Sequence, residues 1–406
     1  MRFLFYSHDG LGLGHTRRNL GIADAVTKLQ PDAAVLMATG LDSVRYLGIP
    51  SGVGVLKLPG LRKLANEAYS GRNLPISFTE LVTLRSALLK AAVESFRPHV
   101  LLADKHPFGV GEELLPALKV MRAIGGRTVL GLRDILDSRE TMLREWARRD
   151  IANRIPRYYD RVLVYGDRAI FDPVAAYDFP PALARRTVFC GYVINRTRFE
   201  WRAGDAIPGH SPQRPTVVAT AGGGQDGVRL LRCFLRAAAG MDWNTVVVTG
   251  SETPTRERKS LEAQAGEIGA SFRSFLPALS NWFEKIDTLV SMGGYNTILE
   301  AVAAGTPTIC VPRIVPRVEQ LLRAIAFAKL GLLRLIHPGD LDPLGLRHEI
   351  EEALRSSHEE LKRRARAIIN FDGARAAALQ IIEAASETEG GFASRPANEA
   401  TGSGAA

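Results

Sequence analysis

Short apolar runs alternate with longer stretches of helical period along the whole chain. Arg2 to Tyr6 reads as a first β-strand, followed by a glycine-rich loop from Gly10 to Gly14 and an amphipathic helix over about Arg17 to Leu29. Further strands are predicted at Ala34–Met37, His99–Leu102, Thr128–Leu132, Arg161–Tyr165 and Thr187–Cys190. These runs are apolar on both faces, as buried parallel strands are. The pattern resets near Trp201. Arg202 to Pro215 is polar, rich in Pro and Gly and without period, so it reads as a linker. Strand, glycine loop and helix then recur, with strands predicted at Thr216–Thr220, Thr245–Val248, Phe272–Phe275, Thr288–Ser291 and Thr308–Val311. The expected fold class is α/β: two doubly wound, Rossmann-like domains facing a central cleft. The expected division is 1–200, a linker at 201–215, 216–385, and a small, polar tail at 386–406 that is expected to be disordered.

Composition narrows the class. The chain has 406 residues and 46% hydrophobic residues, enough for two cores. Its net charge is +9, from 52 Lys and Arg against 43 Asp and Glu. No nucleic-acid motif or dense basic arm accompanies that excess, so nucleic acid is not an expected partner. An anionic phosphate or membrane face suits it better, and a plain arginine bias suits it equally. Cys190, Cys233 and Cys310 are far apart and odd in number, which predicts buried reduced thiols rather than disulfides or a zinc site. No run approaches the ~20 apolar residues of a membrane span, and the amino terminus reads as a strand rather than a signal peptide. The expected location is cytoplasmic.

The carboxyl half carries the clearest chemistry, in Ser291 to Pro312. A strand runs into Met292-Gly293-Gly294, and a helix starts near Asn296-Thr297. Glycines let a ligand approach the backbone, and a helix start offers free amides and a positive dipole end, which together suit a diphosphate. Thr297 and Glu300 fit a capping box. Equally, Glu300 one turn into the helix could accept hydrogen bonds from ribose hydroxyls. Gly222-Gly223-Gly224 forms a second glycine loop after a strand, and Phe275-Leu276 ends another strand. Asp340-Leu341-Asp342 has metal-motif spacing but sits in a Pro- and Gly-bounded turn, so it reads as structural. No metal ligand set is expected.

In the amino half, Gly10, Gly12 and Gly14 fail the spacing of a dinucleotide fingerprint. His15 lies at a helix start, where the dipole disfavours imidazolium, so it could serve as a neutral base or simply hold its own loop. Asp104, at a strand end, could be a base, could orient His15, or could form a turn, the last being the preferred reading. Arg18 could be a helix residue or a phosphate contact. Arg133-Asp134 and Gly166-Asp167 end other strands and are candidates for acceptor contacts.

The run Gly293, Gly294, Thr297, Glu300, Ala301, Gly305, Pro307, with Glu319-Gln320 further on, resembles the donor half of GT-B glycosyltransferases. The similarity is to the branch of the peptidoglycan N-acetylglucosaminyltransferase, the galactolipid synthases and the UDP-glucuronosyltransferases. The resemblance implies a nucleotide-sugar site at Gly222, Gly223, Gly224, Phe275, Leu276, Gly293, Gly294, Asn296, Thr297 and Glu300, with Glu319 and Gln320 on the donor sugar. It implies an acceptor or phosphate loop with Gly12, Gly14 and Arg18, and a catalytic role for His15 with Asp104. The implied reaction is inverting, metal-independent transfer of a hexose-type sugar from a nucleotide-sugar co-substrate, UDP preferred, to a hydroxyl acceptor. Bacterial polysaccharide or glycolipid assembly is the implied setting, with no resident cofactor and a lipid-linked acceptor as one option that would bring peripheral contact with an anionic membrane. A sugar-nucleotide hydrolase or epimerase, and a non-catalytic nucleotide-sugar-binding protein, are the alternatives. The sequence departs from the peptidoglycan enzyme in the Gly-His-x-x-Arg form of its first loop and in Gly294-Tyr295.

Overall fold

Apolar side chains on both faces bury β1 (Arg2–Ser7) completely at Phe3, Leu4, Phe5 and Tyr6. The computed structural model describes residues 1–406 apart from 8–13, 43, 45–46, 66–67, 195–205, 224–225, 251, 277–278 and 389–406. Gly12, Gly224, Trp201 and the tail beyond Thr388 lie outside the described residues. After β1 come α1 (Gly14–Leu29), β2 (Ala34–Thr39), β3 (Val53–Lys57), a hairpin of β4 (Leu61–Ala65) and β5 (Ala68–Gly71), and α2 (Phe78–Phe96). Then follow β6 (Val100–Asp104), α3 (Leu115–Ala123), β7 (Arg127–Arg133), α4 (Arg139–Ala147), α5 (Ile151–Tyr158), β8 (Arg161–Tyr165), α6 (Pro173–Ala176), α7 (Pro181–Ala184) and β9 (Thr187–Phe189). The parallel sheet runs β3-β2-β1-β6-β7-β8-β9.

The second sheet repeats the scheme. Its elements are β10 (Thr216–Thr220), α8 (Val228–Ala238), β11 (Asn244–Val248), α9 (Thr255–Glu267), β12 (Ser271–Arg273), β13 (Thr288–Ser291), α10 (Tyr295–Ala304), β14 (Thr308–Cys310), α11 (Glu319–Lys329) and β15 (Arg334–Leu335), followed by α12 (Pro343–Leu354), α13 (His358–Ile368) and α14 (Gly373–Ser386). The order is β12-β11-β10-β13-β14-β15, again parallel. Each sheet therefore reverses its winding once, between β1 and β6 and between β10 and β13. Chain segments leaving those paired strands diverge to opposite faces and open a crevice at the carboxyl ends, where such folds bind ligands. Ser7 pairs with Asp104 at one switch point and Thr220 with Ser291 at the other.

Three features depart from the expected division. Ile207 is buried in the second core and Asn244 donates a 2.8 Å bond to the Pro208 carbonyl, so the later part of the expected linker packs on the second sheet. Helix α14, expected within the carboxyl domain, lies instead against α1, β6 and β7. Arg161 at the start of β8 clamps it, reaching Gln380 Oε1 at 3.0 Å, Glu383 at 2.6 Å and Glu387 at 2.5 Å. Finally, one apolar core runs through both halves, joining Phe3, Phe5 and Leu20 to Ile298, Leu299, Phe327 and Ile381. The three thiols are buried and free, and burial pushes those of Cys190 and Cys310 up to about 12.

Candidate active site

The first switch point brings His15, Arg18 and Asp104 together. Asp104 ends β6 and has no exposed surface. His15 and Arg18 are three residues apart in α1, so both side chains lie on one helix face. Arg18 Nη2 donates to both carboxylate oxygens of Asp104 at 2.7 Å, and His15 Nδ1 lies 2.8 Å from Asp104 Oδ2. Burial alone would raise the Asp104 carboxyl, but Arg18 and His15 hold it well below the usual carboxylate range. Asp104 is therefore an ionised partner of His15 and Arg18, in place of the turn former preferred on sequence.

That charge settles the histidine's tautomer. Arg18 Nη2 also lies 2.9 Å from His15 Nδ1. One ring nitrogen cannot donate to the carboxylate and accept from the guanidinium together. With Asp104 ionised, the Nδ1 proton points at the carboxylate and Nε2 is the ring nitrogen that carries no proton. Burial lowers the imidazole below its ordinary 6.5, Asp104 opposes that, and Arg18 and Lys105 reinforce it. His15 is thus neutral at neutral pH. Arg18 is packed as well as paired: its guanidinium carbon lies 5.1 Å from the Tyr165 ring centre and 5.4 Å from that of Tyr295. Tyr165 fits only because residue 131 is glycine; a Cβ there would stand 2.1 Å from the Tyr165 hydroxyl.

The second switch point holds the glycine loops. Gly293 has φ +79°, a left-handed conformation, and a Cβ on it would sit 2.9 Å from Cys310 Sγ. Gly294 precedes α10, whose first turn carries no side-chain cap. The Thr297–Glu300 capping box, one of the two readings of that spacing, is therefore absent: Thr297 is already inside the helix. The amides of that first turn have no intrahelical acceptor and are available to a ligand. Gly222 (φ +61°), Gly223 and Gly294 all border open space. Behind them Gly250 packs so closely that a Cβ would come within 2.3 Å of Gly223.

The two switch points face each other. Arg17 Nη2 donates to Glu300 Oε1 at 2.8 Å, and Asn296 Nδ2 reaches the Gly14 carbonyl at 3.4 Å. Burial raises the Glu300 carboxyl above 4.5 while Arg17 opposes it. Tyr295 crosses the cleft to donate to the Tyr165 carbonyl at 2.8 Å. Glu319, 4% exposed, accepts from Arg313 at 2.8 Å through Oε1, while Oε2 is buried without a hydrogen-bond partner. Burial would raise the Glu319 carboxyl, and Arg133, Arg313 and Arg323 hold it low. Gln320 Oε1 accepts from the Arg313 amide at 3.0 Å.

Other sequence candidates have structural partners or lie apart. Phe275 is exposed beyond the edge strand β12, and Leu276 packs toward the core of Trp282 and Phe283. Asp167 accepts from the backbone amides of Ala169 and Asn370, and Asp134 accepts 2.6 Å from the Tyr192 hydroxyl. Asp342 caps α12 through the amides of Leu344 and Gly345, in keeping with a structural turn. Sequence reasoning missed Arg17, Tyr295 and Arg323 as cleft residues. Arg323 is fully buried, 3.6 Å from Asp134 and 3.4 Å from the Gly293 carbonyl. No motif marked it, because its partners come from two segments distant from it in sequence. Among the described residues no cluster of three or more His, Cys, Asp or Glu could hold a metal ion.

Comparison with known proteins places this geometry. Residues 218–380 match the Glycosyltransferase family 28 C-terminal domain. A Proteus mirabilis protein named UDP-N-acetylglucosamine–N-acetylmuramyl-(pentapeptide) pyrophosphoryl-undecaprenol N-acetylglucosamine transferase is 26% identical over 170 residues, 40% of this chain and 47% of its own. The chain thus spans about half the length of the curated relatives it matches. Among solved structures, the glycotransferase of kitacinnamycin aligns with TM-score 0.64 and 18% identity over 94% of this chain and 98% of that one. Acinetobacter baumannii MurG aligns with TM-score 0.58 and 12% identity over 94% and 99%. The fold is GT-B.

Proposed function

We propose that this GT-B chain is a glycosyltransferase that moves a hexose-type sugar from a nucleotide-sugar, UDP-linked by preference, to a hydroxyl acceptor. The Arg17–Glu300 ion pair carries the reading, because it sets the His15–Asp104 pair and the glycine-bordered start of α10 on opposite sides of one cleft. The donor diphosphate lies on the free amides of α10 and against Gly222 and Gly223. Glu300 takes the ribose: Arg17 occupies only Oε1, leaving the other oxygen for a hydroxyl. Glu319 Oε2, buried and unsatisfied, needs a donor group, and a sugar hydroxyl supplies one. His15 Nε2 removes the acceptor proton as the acceptor oxygen bonds the anomeric carbon. The bond to phosphate breaks, UDP leaves with the electron pair, and a single displacement inverts the centre. Helix amides meet the charge on the leaving diphosphate, in a route that uses no metal.

The Proteus mirabilis relative's name carries a pyrophosphoryl-undecaprenol acceptor, which supports a lipid-linked acceptor here. A peripheral seat on an anionic membrane from the cytoplasmic side goes with that acceptor. Among the described residues no helix is long and apolar enough to cross a membrane.

Thermal unfolding with UDP, GDP, dTDP and their sugars is the first test. A UDP-sugar is expected to raise Tm, and the stabilised donor is then offered lipid-linked and soluble hydroxyl acceptors. Nucleotide release without acceptor, at the full turnover rate, would convert the reading to a hydrolase. No stabilisation by any nucleotide would end it.

A further inference from the structure

The cleft is lined by arginines, and nearly all of those described have an anion or carbonyl to hold. Arg17 has Glu300, Arg18 has Asp104, Arg313 has Asp226 and Glu319, Arg317 has Asp137 and Glu145, and Arg323 has Asp134 and the Gly293 carbonyl. Arg133 differs. It ends β7, next to β6 with its terminal Asp104, and makes no hydrogen bond or ion pair among the described residues. Its Nε is buried without a hydrogen-bond partner, as are those of Arg17, Arg18, Arg313 and Arg323, but unlike theirs its terminal nitrogens hold no partner among the described residues either. Its electrostatic neighbours are Arg323 and Arg18, which repel it, and Glu319 and Asp104, which attract it. Glu319 is already held by Arg313, and Asp104 by Arg18 and His15.

The Arg133 side chain is half-buried: its Nε is covered, while its terminal nitrogens are not among the buried, unpartnered atoms and so stand open to a ligand. Its neighbours are Asp104 beside the base and Glu319 at the sugar position, so it stands where acceptor and transferred sugar meet. We propose that Arg133 binds an anionic substituent, phosphate or carboxylate, carried by a substrate next to the reacting hydroxyl or on the transferred sugar. A planar guanidinium whose two terminal nitrogens hold nothing among the described residues suits bidentate capture of either group. The inference rests on the glycosyl-transfer reading and adds a charge requirement to it. Burial and the neighbouring Arg323 and Arg18 lower the Arg133 guanidinium to about 10, which still leaves it cationic at neutral pH.

The test is calorimetric, on the full chain saturated with UDP, titrated with N-acetylglucosamine 1-phosphate, with glucuronic acid and with neutral methyl glucoside. UDP-glucuronic acid and UDP-glucose are compared separately. The wild type is expected to prefer an anionic probe to its neutral counterpart. Arg133→Gln is expected to lose about tenfold or more of the affinity for that anion, with UDP binding unchanged, and Arg133→Lys to recover part of it. Loss confined to the acceptor-like probes identifies an acceptor anion. Loss confined to UDP-glucuronic acid identifies a charged donor sugar. Equal anion binding in wild type and Arg133→Gln overturns the inference, as does a parallel loss of UDP itself. A wild type that binds UDP but no anionic probe also overturns it and leaves glycosyl transfer standing. A wild type that binds no nucleotide removes both.

Discussion

His15 and Asp104 lie 89 positions apart, yet their 2.8 Å contact decides how the histidine works. Replacing His15 with Ala is expected to cut kcat by about 10²–10⁴-fold with UDP affinity little changed, measured by steady-state kinetics beside calorimetry. A residue that only held its loop would weaken binding instead. The pH profile follows from the signs. A base is active when unprotonated, and burial sets His15 below 6.5. The acid limb of kcat/KM is therefore expected below that value. Asp104→Asn removes an influence that raises the imidazole and leaves Arg18, which lowers it. Its acid limb should move further down while kcat falls. A limb that moved up would show that Asp104 does not hold the Nδ1 proton. The preference for a turn at Asp104 failed because a strand-end carboxylate looks the same in sequence whether it meets backbone amides or side chains from elsewhere.

At the scale of elements, α10 separates two meanings of one motif. Thr297 and Glu300 have capping-box spacing, but the helix starts at Tyr295 and the N-cap is Gly294. Losing a real cap costs ~1 kcal/mol. Thr297→Ala is therefore expected to change stability by less than about 0.5 kcal/mol in urea unfolding while weakening UDP binding. A full capping loss with unaltered UDP affinity would restore the bland reading. Gly293→Ala acts differently: a side chain at φ +79° against Cys310 costs about 1–3 kcal/mol, and UDP affinity should fall with it. Element boundaries were readable where strands were apolar on both faces. Arg161–Tyr165, Thr216–Thr220 and Thr288–Ser291 match to the residue. Strand β3 was not readable, since Val53–Lys57 is partly exposed and interrupted by Gly54.

Over the whole molecule, the halves share a core and a set of crossing bonds. The Tyr295 ring packs 6.0 Å from that of Tyr192 and 5.3 Å from the Arg323 guanidinium. Tyr295→Phe should cost ~1 kcal/mol by losing the bond to the Tyr165 carbonyl. Tyr295→Ala should cost ~3–5 kcal/mol and also lower kcat, because it removes the ring beside Arg18. Equilibrium unfolding and kinetics on both variants check this, and a Tyr295→Ala enzyme as active as wild type would show that the ring does not support the catalytic cluster. Helix α14 is the other tie. Its sequence is amphipathic with small apolar residues, which specifies a packed face and leaves open which sheet receives it.

Local information determined what each segment could become. Two-sided apolar runs are buried strands, glycines after them are close turns, and helix starts there offer bare amides, so the doubly wound plan and the glycine turn into a bare helix start in Ser291 to Pro312 were present in the chain itself. Tertiary structure decided pairings among charged and polar groups: Asp104 with His15 and Arg18, Glu300 with Arg17 rather than with a cap, Arg133 with no hydrogen-bond or ion-pair partner among the described residues. The physical reason is range. Backbone geometry and apolar period act over a few residues, whereas an ion pair depends on which strand ends the winding order sets side by side, and the chain records that order only through the whole fold.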